Sequence, residues 1–313
     1  MNAPLVSVLI PAYNCAKYLT ETLKSVQNQT YQNIEIIVVN DSSTDLTLDV
    51  LESLLYVNIT YITQENKGAA TARNKAFEIC KGDYIKFLDA DDLLNPESIE
   101  NQVNLLNKNP NCIISGKWGR FYNDDINTFK LNPQNCWQTL APKDWIEQSW
   151  IETSPMMQPG IFLIPRHLIL QNGLWDTRLT LIDDFEYGIR ILLKAEKIIF
   201  CDQSVLKYRS GITNNLSGQK TYKAAKSALL ATQLVEKELL KAENSFRMKQ
   251  IISDSYFQFI LDFYLIYNDL VKIAEKSYQN YPKSRLTLEG GRGLMLLKKI
   301  FGWKIAKRLR MML

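Results

Sequence analysis

The first ninety residues alternate short apolar runs with amphipathic segments, and this alternation limits the possible fold more than any other feature of the chain. Apolar, β-branched runs predict strands at residues 6–10, 34–39, 57–62 and 84–88. Segments with helical spacing lie between them, at about 16–29, 43–55 and 69–80. Strands that are apolar along their whole length and are separated by helices predict an α/β fold. Its sheet should be mostly parallel, with helices on both faces.

Polar side chains follow each of these predicted strands, at the point where the strand ends. They are Asn14, Asn40, Asp41, Asn66, Asp89, Asp91 and Asp92. Open parallel sheets bind their ligands at the carboxyl ends of the strands. The sequence therefore predicts a ligand site at this edge of the sheet.

The densest polar group is the segment 87–92, in which a predicted buried strand is followed by three carboxylates. If the chain stays extended there, Asp89 and Asp91 can point in the same direction. Their oxygens could then hold a hard divalent cation such as Mg²⁺ or Mn²⁺. The alternative is that Asp92 caps a helix, because Asn95-Pro96-Glu97 is a good helix start. Both interpretations can hold together.

Other cofactor sites are disfavoured by what the chain lacks. No Gly-x-Gly-x-x-Gly turn follows the first predicted strand, which argues against a nicotinamide or flavin enzyme. His167 is the only histidine, so a multi-histidine metal site and a general-base histidine are not expected.

Four segments that occur in a fixed order carry a family resemblance. They are residues 6–14 (VSVLIPAYN), 36–45 (IIVVNDSSTD), 66–74 (NKGAATARN) and 89–91 (DAD). Together they resemble family 2 glycosyltransferases, which are inverting enzymes with the nucleotide-sugar-binding fold called GT-A. The resemblance covers about residues 5–217 and implies a GT-A catalytic domain at 1–217. Residues 222–274 contain no proline or glycine and fit helices, which predicts a helical C-terminal region at 218–313.

The resemblance implies that several strand-end residues bind a nucleotide-diphosphate sugar donor. Pro11 and Tyr13 would border the base, with Tyr13 offering a stacking face. Asp41 would accept hydrogen bonds from the base or ribose, and Asn66 would belong to the same donor pocket. Without the resemblance, Tyr13 would be interpreted as a packing residue and Asp41 as the cap of the next helix.

The resemblance also implies roles for the charged residues around the diphosphate. Arg73 would face the diphosphate or base, Asp89 the ribose or a metal ion. Asp91 would be the metal ligand, bridging Mn²⁺ or Mg²⁺ to the phosphates. The alternative for Arg73 is an ion pair on the surface.

Residues 181–190 (LIDDFEYGIR) resemble the acidic motif that opens a helix near the acceptor site of the family. Asp183 stands where the family usually has glutamate, Asp184 matches the general base, and Arg190 completes the spacing. The alternative for these carboxylates is a helix cap. Arg209 lies where related enzymes have a flexible segment that closes over the donor, although they often carry a histidine there that this chain lacks.

The implied reaction requires one strong base and one electrostatic stabiliser. A sugar hydroxyl is a weak nucleophile, so Asp184 would take its proton as it attacks the anomeric carbon. A cation held by Asp91 would stabilise the departing nucleoside diphosphate. The acceptor would be a carbohydrate or a lipid-linked glycan, in surface polysaccharide or lipid-linked glycan synthesis.

Two alternatives to this function remain open from the sequence. A sugar-nucleotide pyrophosphorylase would be expected to have a glycine-rich, basic loop after its first strand, whereas this chain has Pro11-Ala12-Tyr13-Asn14. A non-catalytic nucleotide-sugar-binding protein would not need the set of Asp89, Asp91 and Asp184.

The basic charge of the chain is concentrated at its C-terminus. The formal net charge is +4, and residues 292–313 contain seven basic residues and no acidic one. The remainder is slightly acidic and lacks the positive face that nucleic acid requires. On a helical wheel Leu294, Leu297, Phe301, Ile305 and Met312 share one face, opposite Lys299, Lys307 and Arg310. This pattern predicts a helix on an anionic membrane surface, and the alternative is a helix packed on the protein body.

The expected location is the cytoplasm, with peripheral binding at the inner face of the plasma membrane. The N-terminus lacks the basic and apolar regions of a secretory signal, and no apolar stretch is long enough to span a bilayer. The five cysteines are scattered singly, as expected of thiols in a reducing compartment.

Overall fold

The computed structural model describes residues 3–53, 59–150, 157–211 and 220–312. Contacts divide the chain into two compact units, Met1–Gly218 and Gln219–Leu313. The boundary between the units falls one residue after the domain boundary expected from the sequence.

The first unit is built on a nine-stranded sheet with the order β3-β2-β1-β4-β8-β6-β9-β5, and β7 pairs with β6. The strands are β1 (Val6–Ala12), β2 (Ile34–Asn40), β3 (Ile59–Thr63), β4 (Tyr84–Phe87), β5 (Leu93–Leu94), β6 (Ile113–Tyr122), β7 (Asp125–Leu131), β8 (Phe162–Pro165) and β9 (Ile198–Ser210). The helices are α1 (Ala16–Gln27), α2 (Thr47–Ser53), α3 (Ala69–Ile79), α4 (Ser98–Leu106), α5 (Pro142–Ser149), α6 (Arg166–Asn172) and α7 (Asp183–Leu192). A 3₁₀ turn, Pro159–Ile161, precedes β8.

The sheet combines a parallel half with a mixed half. Strands β1 to β4 are parallel to one another, and β1 lies between β2 and β4. Strand β8 is antiparallel to both of its neighbours, β4 and β6. Strand β9 is parallel to β6. The α/β fold predicted from the sequence is confirmed. The parallel arrangement foreseen for the first ninety residues holds within the first four strands.

Apolar burial determines the local elements of the first unit. Six of the seven residues of β1 are buried, which matches its uninterrupted apolar sequence. Helix α1 buries Leu19, Leu23 and Val26 on one face. Helix α2 begins at Thr47, later than the expected start near residue 43. The reason is that side chains from neighbouring strand ends bond the amides of residues 43 and 44, which holds that segment as a turn.

The second unit is helical and contains α8 (Tyr222–Ala242), α9 (Phe246–Phe263), α10 (Asn268–Tyr278) and α11 (Arg292–Met312). The helix-compatible stretch 222–274 is therefore divided into three helices. One break precedes Ser245, whose side chain caps α9 by accepting from the amide of Met248. The other contains Leu265 in a left-handed backbone conformation. Over the described part of the chain, none of the helices has the length and apolar character needed to cross a membrane.

Candidate active site

The carboxyl ends of β1, β2 and β4 meet at one edge of the sheet. The amide of Asp41 donates to the carbonyl of Ala12 (2.8 Å), and the amide of Leu88 donates to the carbonyl of Leu9 (3.0 Å). Consequently Asp41, Asp89 and Asp91 lie in neighbouring loops, at the sheet edge where the sequence predicted polar residues to gather. Tyr13, in the same region, is 48% exposed, so its ring is available to a planar ligand.

Asp41 is buried and holds the loop that leads into α3. Its Oδ1 accepts from the side-chain amide of Gln64 and the backbone amide of Lys67, both at 2.8 Å. Its Oδ2 accepts from the amide of Gly68 (2.8 Å), whose φ of +87° favours glycine. The alternative that Asp41 caps α2 is wrong, because these bonds run to the start of α3. Asn66 lies exposed on the same loop.

Arg73, on α3, joins the strand-end carboxylates to the acidic motif of α7. Its Nη2 donates to Asp89 Oδ1 (2.7 Å), and its Nη1 donates to Asp183 Oδ2 (2.9 Å). The guanidinium carbon lies 4.3 Å from the ring centroid of Trp175. Because Arg73 is buried, the ion pair is an interior one and not the surface pair considered as an alternative.

Trp175 is a site residue that the sequence analysis missed. Asn74 binds its backbone twice: the side-chain Nδ2 donates to the Trp175 carbonyl, and Oδ1 accepts from the Trp175 amide, both at 2.9 Å. The Trp175 ring stacks on Tyr187, with centroids 4.1 Å apart and an interplanar angle of 10°. Asn74 follows Arg73 in the segment 66–74 that carries the family resemblance, but the spacing within that segment does not reveal a partner 101 residues away.

Arg190 stabilises the turn that carries Trp175. It pairs with Glu186 Oε1 (2.8 Å) one helical turn earlier on α7. Its remaining donors reach the carbonyls of Asn172 (2.7 Å) and Leu174 (2.8 Å). These bonds attach the segment before Trp175 to α7. Arg190 therefore helps to position Trp175 beside the site.

The turn that carries Asp91 is fixed by bonds from two other elements. Thr22 Oγ1, on α1, donates to the Ala90 carbonyl (2.9 Å). Arg209, at the end of β9, donates from Nε to the Asp91 carbonyl (2.9 Å) and from its amide to Asp92 Oδ1 (3.1 Å). The helix-cap alternative for Asp92 is wrong, because α4 begins only at Ser98 and Asp92 bonds Arg209 instead.

Arg209 is almost completely buried, and its charge is balanced by carboxylates. Nη2 donates to Glu21 Oε2 (2.6 Å), and Nη1 donates to Asp124 Oδ1 (3.1 Å). Its guanidinium also lies over the rings of Tyr18 and Phe121. Arg209 was expected in a segment that closes over the donor. In the structure it anchors the acidic turn, and residues 212–219 of that segment lie outside the described residues.

The acidic turn, residues 89–92, holds three carboxylates close together, and the pKa values of two of them are raised. Burial, followed by the negative charge of Asp89, raises the pKa of Asp91 to about 7. Burial together with the charges of Asp91 and Asp89 also raises the pKa of Asp92. Carboxylate oxygens that repel one another are a suitable environment for a hard divalent cation. Within the described residues, however, no group of three or more acidic, histidine or cysteine side chains is arranged to hold a metal by itself.

Asp184 lies in the first turn of α7, close to Asp183 and Arg73. Burial, followed by the charge of Asp183, raises the pKa of Asp184 to about 7, while the positive charge of Arg73 acts in the opposite direction. Its Oδ1 accepts from the amide of Phe185 (2.8 Å). Ile182, just before the helix, has a φ of +53°, which is strained for a β-branched residue and is typical of functional sites.

Sequence comparison identifies the family. The family model described as "Glycosyl transferase family 2" matches residues 7–170. An uncharacterised glycosyltransferase of Rickettsia typhi is 32% identical over 80% of this chain and 79% of its own length. The chain belongs to glycosyltransferase family 2. The family predicted from the four sequence segments is therefore confirmed.

Two further similarities connect this family 2 glycosyltransferase to named proteins. The chondroitin synthase of Escherichia coli is 45% identical over 32% of this chain, but the match spans only 15% of that enzyme. The chain also spans about half the length or less of several other relatives. In structure, residues 1–349 of TarS from S. aureus in complex with UDP-GlcNAc superpose with a TM-score of 0.68. That match has 22% identity and covers 89% of this chain and 82% of the TarS chain.

The geometry gives this glycosyltransferase two groups of carboxylates linked by one cation. Asp89 and Asp91 lie at the strand edge, Asp183 and Asp184 open α7, and Arg73 is bonded to one carboxylate of each pair. The carboxylates of the strand ends and those of α7 are therefore held beside one another in one site. The sequence foresaw both groups but not their connection through Arg73.

Proposed function

We propose that this glycosyltransferase moves a sugar from a nucleotide-diphosphate sugar to a hydroxyl of a carbohydrate or lipid-linked acceptor, with inversion at the anomeric carbon. The observation that carries the proposal is the ion-paired bridge from Asp89 through Arg73 to Asp183, beside Asp184. The TarS structures with UDP-GlcNAc and with UDP support a uridine diphosphate sugar as the donor. The similarity to chondroitin synthase supports a role in polysaccharide or lipid-linked glycan synthesis.

The donor would bind at the carboxyl ends of the parallel strands. The exposed ring of Tyr13 offers a stacking surface for the base, with Pro11 beside it. Asn66 is exposed on the loop after β3 and can reach a ligand there. Asp41 already binds three donors of the protein, so its contribution to the pocket is first to hold this loop and then to offer remaining acceptor capacity to the ribose.

Asp91 is the proposed ligand for Mn²⁺ or Mg²⁺, with Asp89 nearby. Such a cation binds few protein carboxylates together with substrate phosphates, which fits a turn with few ligands of its own. When bound, it supplies electrostatic stabilisation of the leaving diphosphate. The chain's own contribution is the rigid turn: Thr22 and Arg209 fix the backbone that orients Asp91.

Asp184 is the proposed general base. A base works best when its pKa lies near the working pH, and the pKa of Asp184 is raised to about 7. In its ionised form it takes the proton from the attacking hydroxyl as the bond to the anomeric carbon forms and the bond to the diphosphate breaks. A single displacement of this kind inverts the configuration.

Arg73 and Arg190 support this base in different ways. Arg73 pairs with both Asp183 and Asp89 and so holds them close together, and its positive charge lowers the pKa of Asp184. Arg190 fixes the turn before Trp175, against which Arg73 packs. We assign Arg190 and Arg209 positioning roles rather than contacts with substrate.

The proposed compartment is the cytoplasm. The five cysteines are buried free thiols, which fits a reducing environment. The alternative of a sugar-nucleotide pyrophosphorylase has no support from the family comparison, which matches glycosyltransferases. A non-catalytic donor-binding protein would bind the donor without transferring its sugar, so a transfer assay distinguishes it from the proposed enzyme.

The test compares Asp184→Asn with the unmodified protein in sugar transfer from UDP-sugars in the presence of Mn²⁺. We expect transfer to fall by roughly 10²- to 10⁴-fold, the usual contribution of a general base, with donor affinity nearly unchanged by calorimetry. Asp49→Asn, an exposed aspartate on α2, is the matched control. Transfer above about a tenth of the unmodified rate would remove Asp184 from the base role.

The cation is tested separately. Asp91→Ala should weaken Mn²⁺-assisted donor binding and transfer together, and EDTA should abolish transfer by the unmodified enzyme. Full activity in EDTA would contradict the metal role of Asp91. Retention of the donor's configuration, read by NMR of the product, would contradict the single-displacement mechanism.

A further inference from the structure

Helix α11 packs one of its faces onto the rest of the second unit. The inward residues are Leu294, Leu297, Trp303 and Ala306, which contact a core that includes Phe257, Leu261 and Leu288. Trp303 makes edge contacts with the rings of Phe257 and Tyr264. The prediction of a helix packed on the protein body is therefore correct for this face.

A break at Gly302 changes which residues share the outer face. Gly302 has a φ of +79° and a ψ of 164°, so the helical wheel does not continue through it. Leu294 and Leu297, which the sequence placed on the membrane face, contact the protein core instead. Phe301 and Ile305 are exposed as expected, and the side chain of Met312 lies outside the described residues.

Helix α11 also carries apolar side chains that the core does not cover. Six large ones, on the two halves of the helix, are between 37% and 61% exposed: Met295, Leu296, Ile300, Phe301, Ile305 and Leu309. We call these six residues the tail patch. Leu296 and Ile300 are four residues apart, as are Ile305 and Leu309, so each pair lies on one side of its half-helix. Isolated exposed apolar residues are ordinary, but six within residues 295–309 are a concentration typical of an interaction surface.

Exposed cations accompany the tail patch. Lys299 and Arg308 are exposed and form no hydrogen bond or ion pair with any described residue. Other basic groups of α11 are already engaged: Lys304 pairs with Glu275, and Lys298 donates to Thr287 and to the carbonyl of Leu288. No acidic residue occurs from 290 to 313.

We propose that the tail patch docks on the surface of an anionic lipid bilayer. Apolar side chains would enter the interface while Lys299 and Arg308 bind the lipid headgroups. Charge complementarity favours this occupant over a second copy of the chain, because the exposed cations Lys299 and Arg308 of the two copies would then be brought together with no acidic residue of the tail to balance them. The inference does not depend on the donor or on Asp184.

The test is co-sedimentation of the full chain with vesicles of phosphatidylcholine alone or mixed with phosphatidylglycerol, at low and high salt. The variants are Leu296→Ser with Ile300→Ser, and Lys299→Gln with Arg308→Gln. The matched controls are Leu170→Ser with Phe246→Ser, which are exposed apolar residues elsewhere, and Lys223→Gln with Lys226→Gln on α8. Because all these side chains are exposed, the variants should fold, and circular dichroism checks that they do.

We expect binding to the mixed vesicles only, weakened by salt. The double charge variant should bind roughly 30-fold more weakly, since each basic residue near an anionic surface contributes about a factor of five. The apolar variant should lose binding, and both controls should keep it. Equal binding of all variants, or binding to neutral vesicles alone, overturns the proposal. The proposal is also overturned if Leu296→Ser with Ile300→Ser keeps its vesicle binding and changes only the oligomeric state measured by light scattering. The tail patch would then be a contact between copies of the chain.

Discussion

Lys86 is a buried lysine in β4, the strand that delivers Asp89 and Asp91 to the site. Its Nζ donates to the carbonyls of Gly160 (2.8 Å) and Phe162 (3.1 Å), which attach β4 to the segment leading into β8. Lys86 forms no ion pair with any residue that the structure describes. Burial lowers the pKa of Lys86 from 10.5 to about 7.

This lowered pKa makes the stability of the fold depend on pH in a definite direction. Between about pH 7 and 10.5 the unfolded chain keeps the Lys86 proton while the folded chain releases it, so the free energy of unfolding rises with pH. From about pH 7 to about pH 9, the difference between these two pKa values raises the free energy of unfolding by about 2 kcal/mol. Below about pH 7 both states hold the proton, and this source of pH dependence disappears.

The perturbation is Lys86→Met, which keeps the length of the side chain and removes the titrating group. We expect the difference in free energy of unfolding between the unmodified protein and the variant to change by about 2 kcal/mol over that pH interval. Urea denaturation followed by circular dichroism at several pH values measures it, and taking the difference cancels other titrating groups. Lys24→Met, at an exposed lysine of α1, should leave the pH dependence unchanged. A constant difference for Lys86→Met would refute the reasoning.

Three other predictions concern the support of the site. Arg73→Gln should move the acidic limb of the rate profile upward by about one pH unit, because it removes the charge that lowers the pKa of Asp184; a limb that stays in place would contradict the ion-paired bridge. Arg209→Lys should weaken Mn²⁺-assisted donor binding, measured by calorimetry, because an ammonium cannot reproduce the bonds to Asp91, Glu21 and Asp124; unchanged Mn²⁺ dependence would argue against positioning. Asn74→Ala should cost about 1–3 kcal/mol of stability, since it leaves the backbone of the buried Trp175 unpaired, and an unchanged melting temperature would show that the bonds are replaced.

Much of the first unit could be predicted because its signals are local. A strand such as β1 is apolar along its length, and a helix such as α1 repeats its apolar residues on one face, so both were found within two residues of their observed ends. Because the predicted strands are parallel, Asp41, Asp89 and Asp91 could be placed at one edge of the sheet without any knowledge of their contacts. The start of α2 was misjudged, because the amide of Thr44 in the preceding turn is bonded by Asn14, which comes from the loop after β1, 30 residues away.

The sequence by itself determined the parallel strands of the first ninety residues, the family and the identity of the acidic residues, since these depend on neighbours along the chain. Only the tertiary structure decided which partners these residues have. Arg209 reaches the Asp91 carbonyl from 118 residues away, and Asn74 reaches Trp175 from 101 residues away. The exposed face of α11 was likewise decided by packing and by the break at Gly302. A side chain's reach and a helix's rotation depend on how elements pack, and no spacing within one segment contains that information.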